Sequence, residues 1–99
     1  MLIIAGSIQI DPDHMDRAVA AIGPMGEATR AEQGCEDYVF SVNPHVPGEL
    51  RVFERWTDGD ALEAHFATAH MQTVREVLAT CGKGRREIVR YEVESATEM

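Results

Sequence analysis

Residues 52–70 read Val52-Phe53-Glu54-Arg55-Trp56-Thr57-Asp58-Gly59-Asp60-Ala61-Leu62-Glu63-Ala64-His65-Phe66-Ala67-Thr68-Ala69-His70. The stretch from Leu50 to Trp56 is short and rich in β-branched and aromatic residues, which predicts a strand. Thr57 to Asp60 then turns into a helix. Asp58 is placed to cap it, and Asp60 lies against the positive end of its dipole. Leu62, Phe66 and Ala69 recur at helical spacing, with His65 on the same stripe. Near Thr68 the phase shifts: Met71, Val74, Leu78 and Cys81 form a new stripe, so two helical pieces are expected, with Thr68 capping the second.

Working outward, Cys35 to Asn43 alternates, with Tyr38, Phe40 and Val42 on one face, and predicts a strand. PHVPGE, residues 44–49, is a turn-rich link of hairpin length, so this strand pairs antiparallel with Leu50 to Trp56. Leu2 to Ile10 is apolar on both strand faces, as a covered central strand requires. Asp11 or Asp13 can cap the helix that follows. In that helix Met15, Ala18, Val19, Ile22 and Met25 form the apolar stripe. Gly23 and Pro24 predict a kink or short break, and Gly34 an end. Downstream, GKGRR stops the last helix and Ile88 to Val93 supplies a final strand, with Val89, Tyr91 and Val93 on one face. Residues 94–99 form a polar tail expected to fray.

The order strand, helix, strand, strand, helix, strand defines one α+β domain over residues 1–99 with a ferredoxin-like βαββαβ antiparallel sheet and its helices on one face. The other sheet face needs cover. Sheet-to-sheet packing in a homodimer is the simplest way to provide it.

A net charge of −8 sets this chain apart from nucleic-acid binders and from proteins that dock on anionic membranes. No apolar run approaches the roughly 18 residues of a membrane span, and the first ten residues lack the basic start of a signal peptide. A cytoplasmic location is expected. Cys35 and Cys81 have no CxxC context, which predicts two buried, reduced thiols.

His65 is the leading candidate for chemistry. A histidine on a sheet-facing stripe must find a partner or line a cavity, and its ordinary pKa suits proton abstraction near neutral pH. His70, five residues on, is rotated by about 140° from it on a continuous helix, so the pair is not spaced as a metal site. A break at Thr68 would let His70 turn toward a pocket mouth. Tyr38, Trp56 and Phe66, with Phe40 and Phe53, supply aromatic wall for a flat substrate. Lys83, Arg85 and Arg86 follow a helix end, where cations complement the dipole and an anionic group could also bind. No metal, flavin or dinucleotide motif occurs, so no cofactor is expected.

Three stretches, RAEQGCEDYVFSVNP, VFERWTDGDALEAHFATAH and the closing RYEV, resemble the antibiotic biosynthesis monooxygenase (ABM) family over nearly the whole chain. The resemblance implies a dimeric α+β barrel with a pocket between sheet and helices in each subunit. It also implies oxidation of a quinol-like or polycyclic phenolic substrate by molecular oxygen without a cofactor. His65 would then act as base, and Tyr38, Trp56, Phe66 and His70 would bind the small aromatic substrate. Ser7, His65 and about Arg75 stand where the haem-degrading branch carries its asparagine, tryptophan and histidine, which speaks against that chemistry. Val52 replaces the strand asparagine of anthrone oxygenases. The alternatives are an isomerase of a small phosphorylated ketone and a non-catalytic dimeric small-molecule-binding protein.

Overall fold

A computed structural model describes residues 1–82 and 84–99. Lys83, named among the cations after the last helix, lies outside the described residues. The elements run β1 (Leu2–Gln9), a 3-10 turn (Pro12–His14), α1 (Met15–Arg30), β2 (Cys35–Val42), β3 (Glu49–Trp56), α2 (Gly59–Phe66), α3 (Ala69–Ala79) and β4 (Arg86–Glu92). The sheet order is β2-β3-β1-β4 and every neighbouring pair is antiparallel. This is the expected ferredoxin-like arrangement.

Side-chain caps start the 3-10 turn, α2 and α3, whereas α1 follows the 3-10 turn with no side-chain cap at His14. Asp11 accepts the Asp13 N–H and so caps the 3-10 turn rather than α1. Asp58 accepts the Ala61 N–H at 2.9 Å and starts α2. The Thr68 hydroxyl accepts the Met71 N–H at 3.3 Å and starts α3, at the point where the apolar stripe changes phase. α1 differs from its forecast, because it runs unbroken through Gly23 and Pro24 and ends before Ala31. Ala20, whose carbonyl a residue other than proline would bond, is exposed together with Gly23 and Pro24, so water meets the unpaired group. Gly34 lies beyond the helix, in the turn into β2, with φ at +85°. β4 begins two residues earlier than expected, at Arg86.

Side-chain alternation gives the sheet two unlike faces. Leu2, Ile4, Ile8, Leu50, Val52, Trp56 and Tyr38 point under the helices and form the core with Ala18, Ile22, Met25, Leu62, Val74 and Leu78. α1 packs on β2 and on α3. On the opposite face Val39, Phe53, Ala5 and Val89 form one cross-strand row, and Ile3 pairs with Tyr91. Val39, Phe53, Val89 and Tyr91 are exposed. Cys81 is buried, and Cys35 is only partly so.

Candidate functional site

On the helix-covered face, the row Phe40, Val52, Gly6, Ile88 crosses all four strands. Its third position has no side chain. Gly6 has φ at +155°, and a Cβ there would lie 1.9 Å from the Glu87 carbonyl oxygen, so only glycine lets β4 approach β1. The other three residues of this row, Phe40, Val52 and Ile88, line a cavity of about 160 Å³. Ile4, Ile8, Tyr38 and Glu54 complete the sheet side, while Phe66, Met71, Val74, Arg75 and Leu78 form the helical wall and Arg86 reaches in from β4. A larger depression near the start of α2, lined by Gln33, Gly34, Thr57 and Asp58 among others, is shallow. Its Asp58 side chain is already used as a helix cap.

Glu54 is the one carboxylate of the cavity lining and is 8% exposed. Its position is set by strand parity: it follows Leu50 and Val52 and precedes Trp56 on the inward face of β3. The Trp56 indole N–H donates to Glu54 Oε1 at 2.9 Å. Burial raises the Glu54 pKa, and the Trp56 hydrogen bond and the Arg86 charge only partly offset it. The carboxylate is thereby made a better proton acceptor than a solvated one. Tyr38 is shifted the same way, chiefly by burial, so its phenol stays protonated at neutral pH and can donate a hydrogen bond. Its hydroxyl is buried with no partner among the described residues.

Behind this wall lies a second polar cluster. His65, 1% exposed, rests between the Trp56 ring (centroids 4.9 Å apart) and the Tyr38 ring (5.4 Å). Its Nδ1 and His70 Nε2 both lie 2.8 Å from the same Glu32 oxygen, Oε2. An ionised carboxylate only accepts, so both ring nitrogens donate, and His65 Nε2 carries the lone pair. That nitrogen is buried without a partner among the described residues. Burial lowers the His65 pKa despite Glu32, which keeps the ring neutral near pH 7. The three donor atoms lie within 4.8 Å of one another, a set that a cation could use. As arranged, the two N–H donors already satisfy the carboxylate, and a cation would have to displace both protons.

Tyr38 and Phe66 therefore line the cavity, whereas Trp56, His65 and His70 do not. Trp56 touches the site through Glu54. His70 reaches the buried cluster because the chain breaks at Thr68, away from the face a continuous helix would give it. Arg85 pairs with Glu87 on the surface, while Arg86 joins the cavity. Two acidic residues were missed. Glu54 carries a readable signal, a carboxylate at inward parity between Val52 and Trp56. Glu32 carries none, since it lies in the turn after α1 and meets His65 only through the tertiary fold. No helix among the described residues is long and apolar enough to cross a membrane.

Fold and site together define a ferredoxin-like α+β domain with an aromatic-walled cavity between sheet and helices. The antibiotic biosynthesis monooxygenase model matches residues 1–77, and the chain belongs to that family. Protein sll1783 of Synechocystis sp. is 30% identical over 69 residues, which is 70% of this chain and 47% of that protein. The chain thus spans about half the length of that relative. A Deinococcus radiodurans structure whose name places it among the antibiotic biosynthesis monooxygenases superposes with a TM-score of 0.89 at 24% identity, covering 100% of this chain and 98% of its own. A conserved protein of Methanosarcina mazei Go1 gives a TM-score of 0.81 at 26% identity, covering 91% and 88%. These likenesses carry the fold.

Proposed function

We propose that this protein is a cofactor-independent monooxygenase of single-ring quinol-like phenols. The carrying observation is the cavity: apolar and aromatic on most sides, with one buried carboxylate and one unpartnered phenol. A cavity of about 150 Å³ holds benzene, so about 160 Å³ suits one ring and not a fused three-ring anthrone. The expectation from the sequence admitted both sizes.

In this reading Glu54 takes the proton of a ring hydroxyl, and Tyr38 donates to the resulting oxyanion. The electron-rich anion passes an electron to oxygen, and the apolar walls hold the radical pair until it combines. One oxygen atom enters the ring and the other leaves as water, with the substrate supplying both electron pairs. His65, the base expected from the sequence, is one layer back. Held by Glu32, it positions Tyr38 and Trp56. The isomerase of a small phosphorylated ketone is less well supported, because most of the lining is apolar or aromatic.

We also infer a homodimer through the open sheet face. The row Val39, Phe53, Ala5, Val89, flanked by Tyr91, is an apolar surface of the kind that packs against a second sheet. The functional reading is tested with an oxygen electrode and a panel of hydroquinones and anthrones. Uptake with single-ring quinols and not with anthrones supports it. Uptake with neither counts against the oxygenase, and leaves a binding protein.

A further inference from the structure

Two arginines line the apolar cavity, Arg75 from α3 and Arg86 from β4. The chain carries 17 acidic residues against 9 Lys and Arg, so a surface arginine has carboxylates in plenty to meet. Arg51, Arg55, Arg85 and Arg90 are each paired with a glutamate, while Arg17 and Arg30 donate to the Thr80 and Tyr38 carbonyls. Arg86 makes no ion pair and no side-chain hydrogen bond among the described residues. Arg75 gives Nη1 to the Phe66 carbonyl at 3.2 Å and lies over the Phe66 ring, 5.9 Å from its centroid, also without a carboxylate. Its contacts hold it beside the cavity. Both charges are felt inside: Arg86 acts on Glu54, and Arg75 on Tyr38.

Depth orders the polar groups. Glu54 and Tyr38 are buried, whereas Arg75 and Arg86 are exposed, at the mouth. A guanidinium presents a planar fork of donors that matches a carboxylate or phosphate edge. We propose that the ligand of this cavity is an aromatic acid, a single hydroxylated ring entering phenol-first with an oxyanion substituent held at the mouth by Arg75 and Arg86. The proposal rests on the single-ring reading of the cavity above, and not on the oxygen chemistry. A carboxylate is the head group favoured, since it adds least bulk to a ring that already fills the space.

The test is a binding titration without oxygen, so that turnover cannot contribute. Trp56 is the sole tryptophan and bonds a cavity residue, which makes its fluorescence the reporter, with calorimetry beside it. The probes are 2,5-dihydroxybenzoate, its neutral amide 2,5-dihydroxybenzamide, and phenyl phosphate. The acid is expected to bind at least about tenfold more tightly than the amide. Arg75→Gln and Arg86→Gln should each weaken the acid by about fivefold, a solvent-screened effect, and leave the amide nearly unchanged. Equal affinity for acid and amide, or equal losses for both in the variants, overturns the proposal. Tighter binding of phenyl phosphate overturns the carboxylate assignment. Acid selectivity without oxygen uptake keeps this inference and removes the oxygenase; uptake of neutral quinols without acid selectivity does the reverse.

Discussion

Trp56 holds Glu54 by a single hydrogen bond, indole N–H to Oε1 at 2.9 Å, two residues along the same strand and on the same face. The buried tryptophan thereby orients the only carboxylate of the cavity. Trp56→Phe keeps an aromatic ring but removes the donor together with the volume of the second indole ring at a fully buried position. It should lower activity with little change in substrate affinity, and it leaves a buried carboxylate short of a partner, at a cost of about 1–3 kcal/mol. Chemical denaturation alongside initial rates measures both.

Glu32 joins two histidines that the sequence separates. Removing it in Glu32→Ala leaves the buried His65 donor unsatisfied and should destabilise the fold by about 1–3 kcal/mol. His70→Ala, at a half-buried site, should cost less. If Glu32→Ala and His70→Ala proved equally mild in urea unfolding, the cluster would have no structural role.

The pH dependence has two opposing parts. His65 has a lowered pKa in the fold, so the unfolded chain binds its proton first, and stability falls as pH drops below about 6.5. Glu54 has a raised pKa, so its contribution is full below the ordinary value of 4.5 and is lost as pH rises through the folded pKa. Glu54→Gln should therefore gain stability relative to wild type as pH is raised from about 4 toward neutrality. Thermal unfolding across that range shows the sign.

Gly6 lets β4 approach β1 between Val52 and Ile88, two residues of the cavity lining. Gly6→Ala places a methyl against the Glu87 carbonyl and should force β4 away, costing about 1–3 kcal/mol or more and weakening ligand binding. Gly23→Ala, where a Cβ meets nothing within 4 Å, is the control. It should be neutral or mildly stabilising.

If the open sheet face is the dimer interface, Phe53→Lys, at the centre of the Val39–Phe53–Ala5–Val89 row, should yield monomer in sedimentation equilibrium. An unchanged oligomeric state would place the interface elsewhere.

Most of the fold was legible because its causes are local. Asp58 and Thr68 start helices through bonds three residues long, and strand parity sorted Trp56 and Tyr38 from Phe53 and Val39 without any tertiary information. Pro24 misled because a proline penalty depends on which side of the helix faces water, and that is decided by packing. The site was less legible for the same reason. His65 packs against Trp56 and Tyr38 instead of a cavity, which only the tertiary fold decides, and Glu32 reaches it from another part of the chain.

The role of Glu54 as base is tested by comparing oxygen uptake by wild type and Glu54→Gln with a single-ring hydroquinone, with His65→Ala alongside. Glu54→Gln should lose roughly a hundredfold, with Michaelis constant little changed and a smaller loss for His65→Ala. Equal rates for wild type and Glu54→Gln, or a larger loss in His65→Ala with its fold intact, would contradict it.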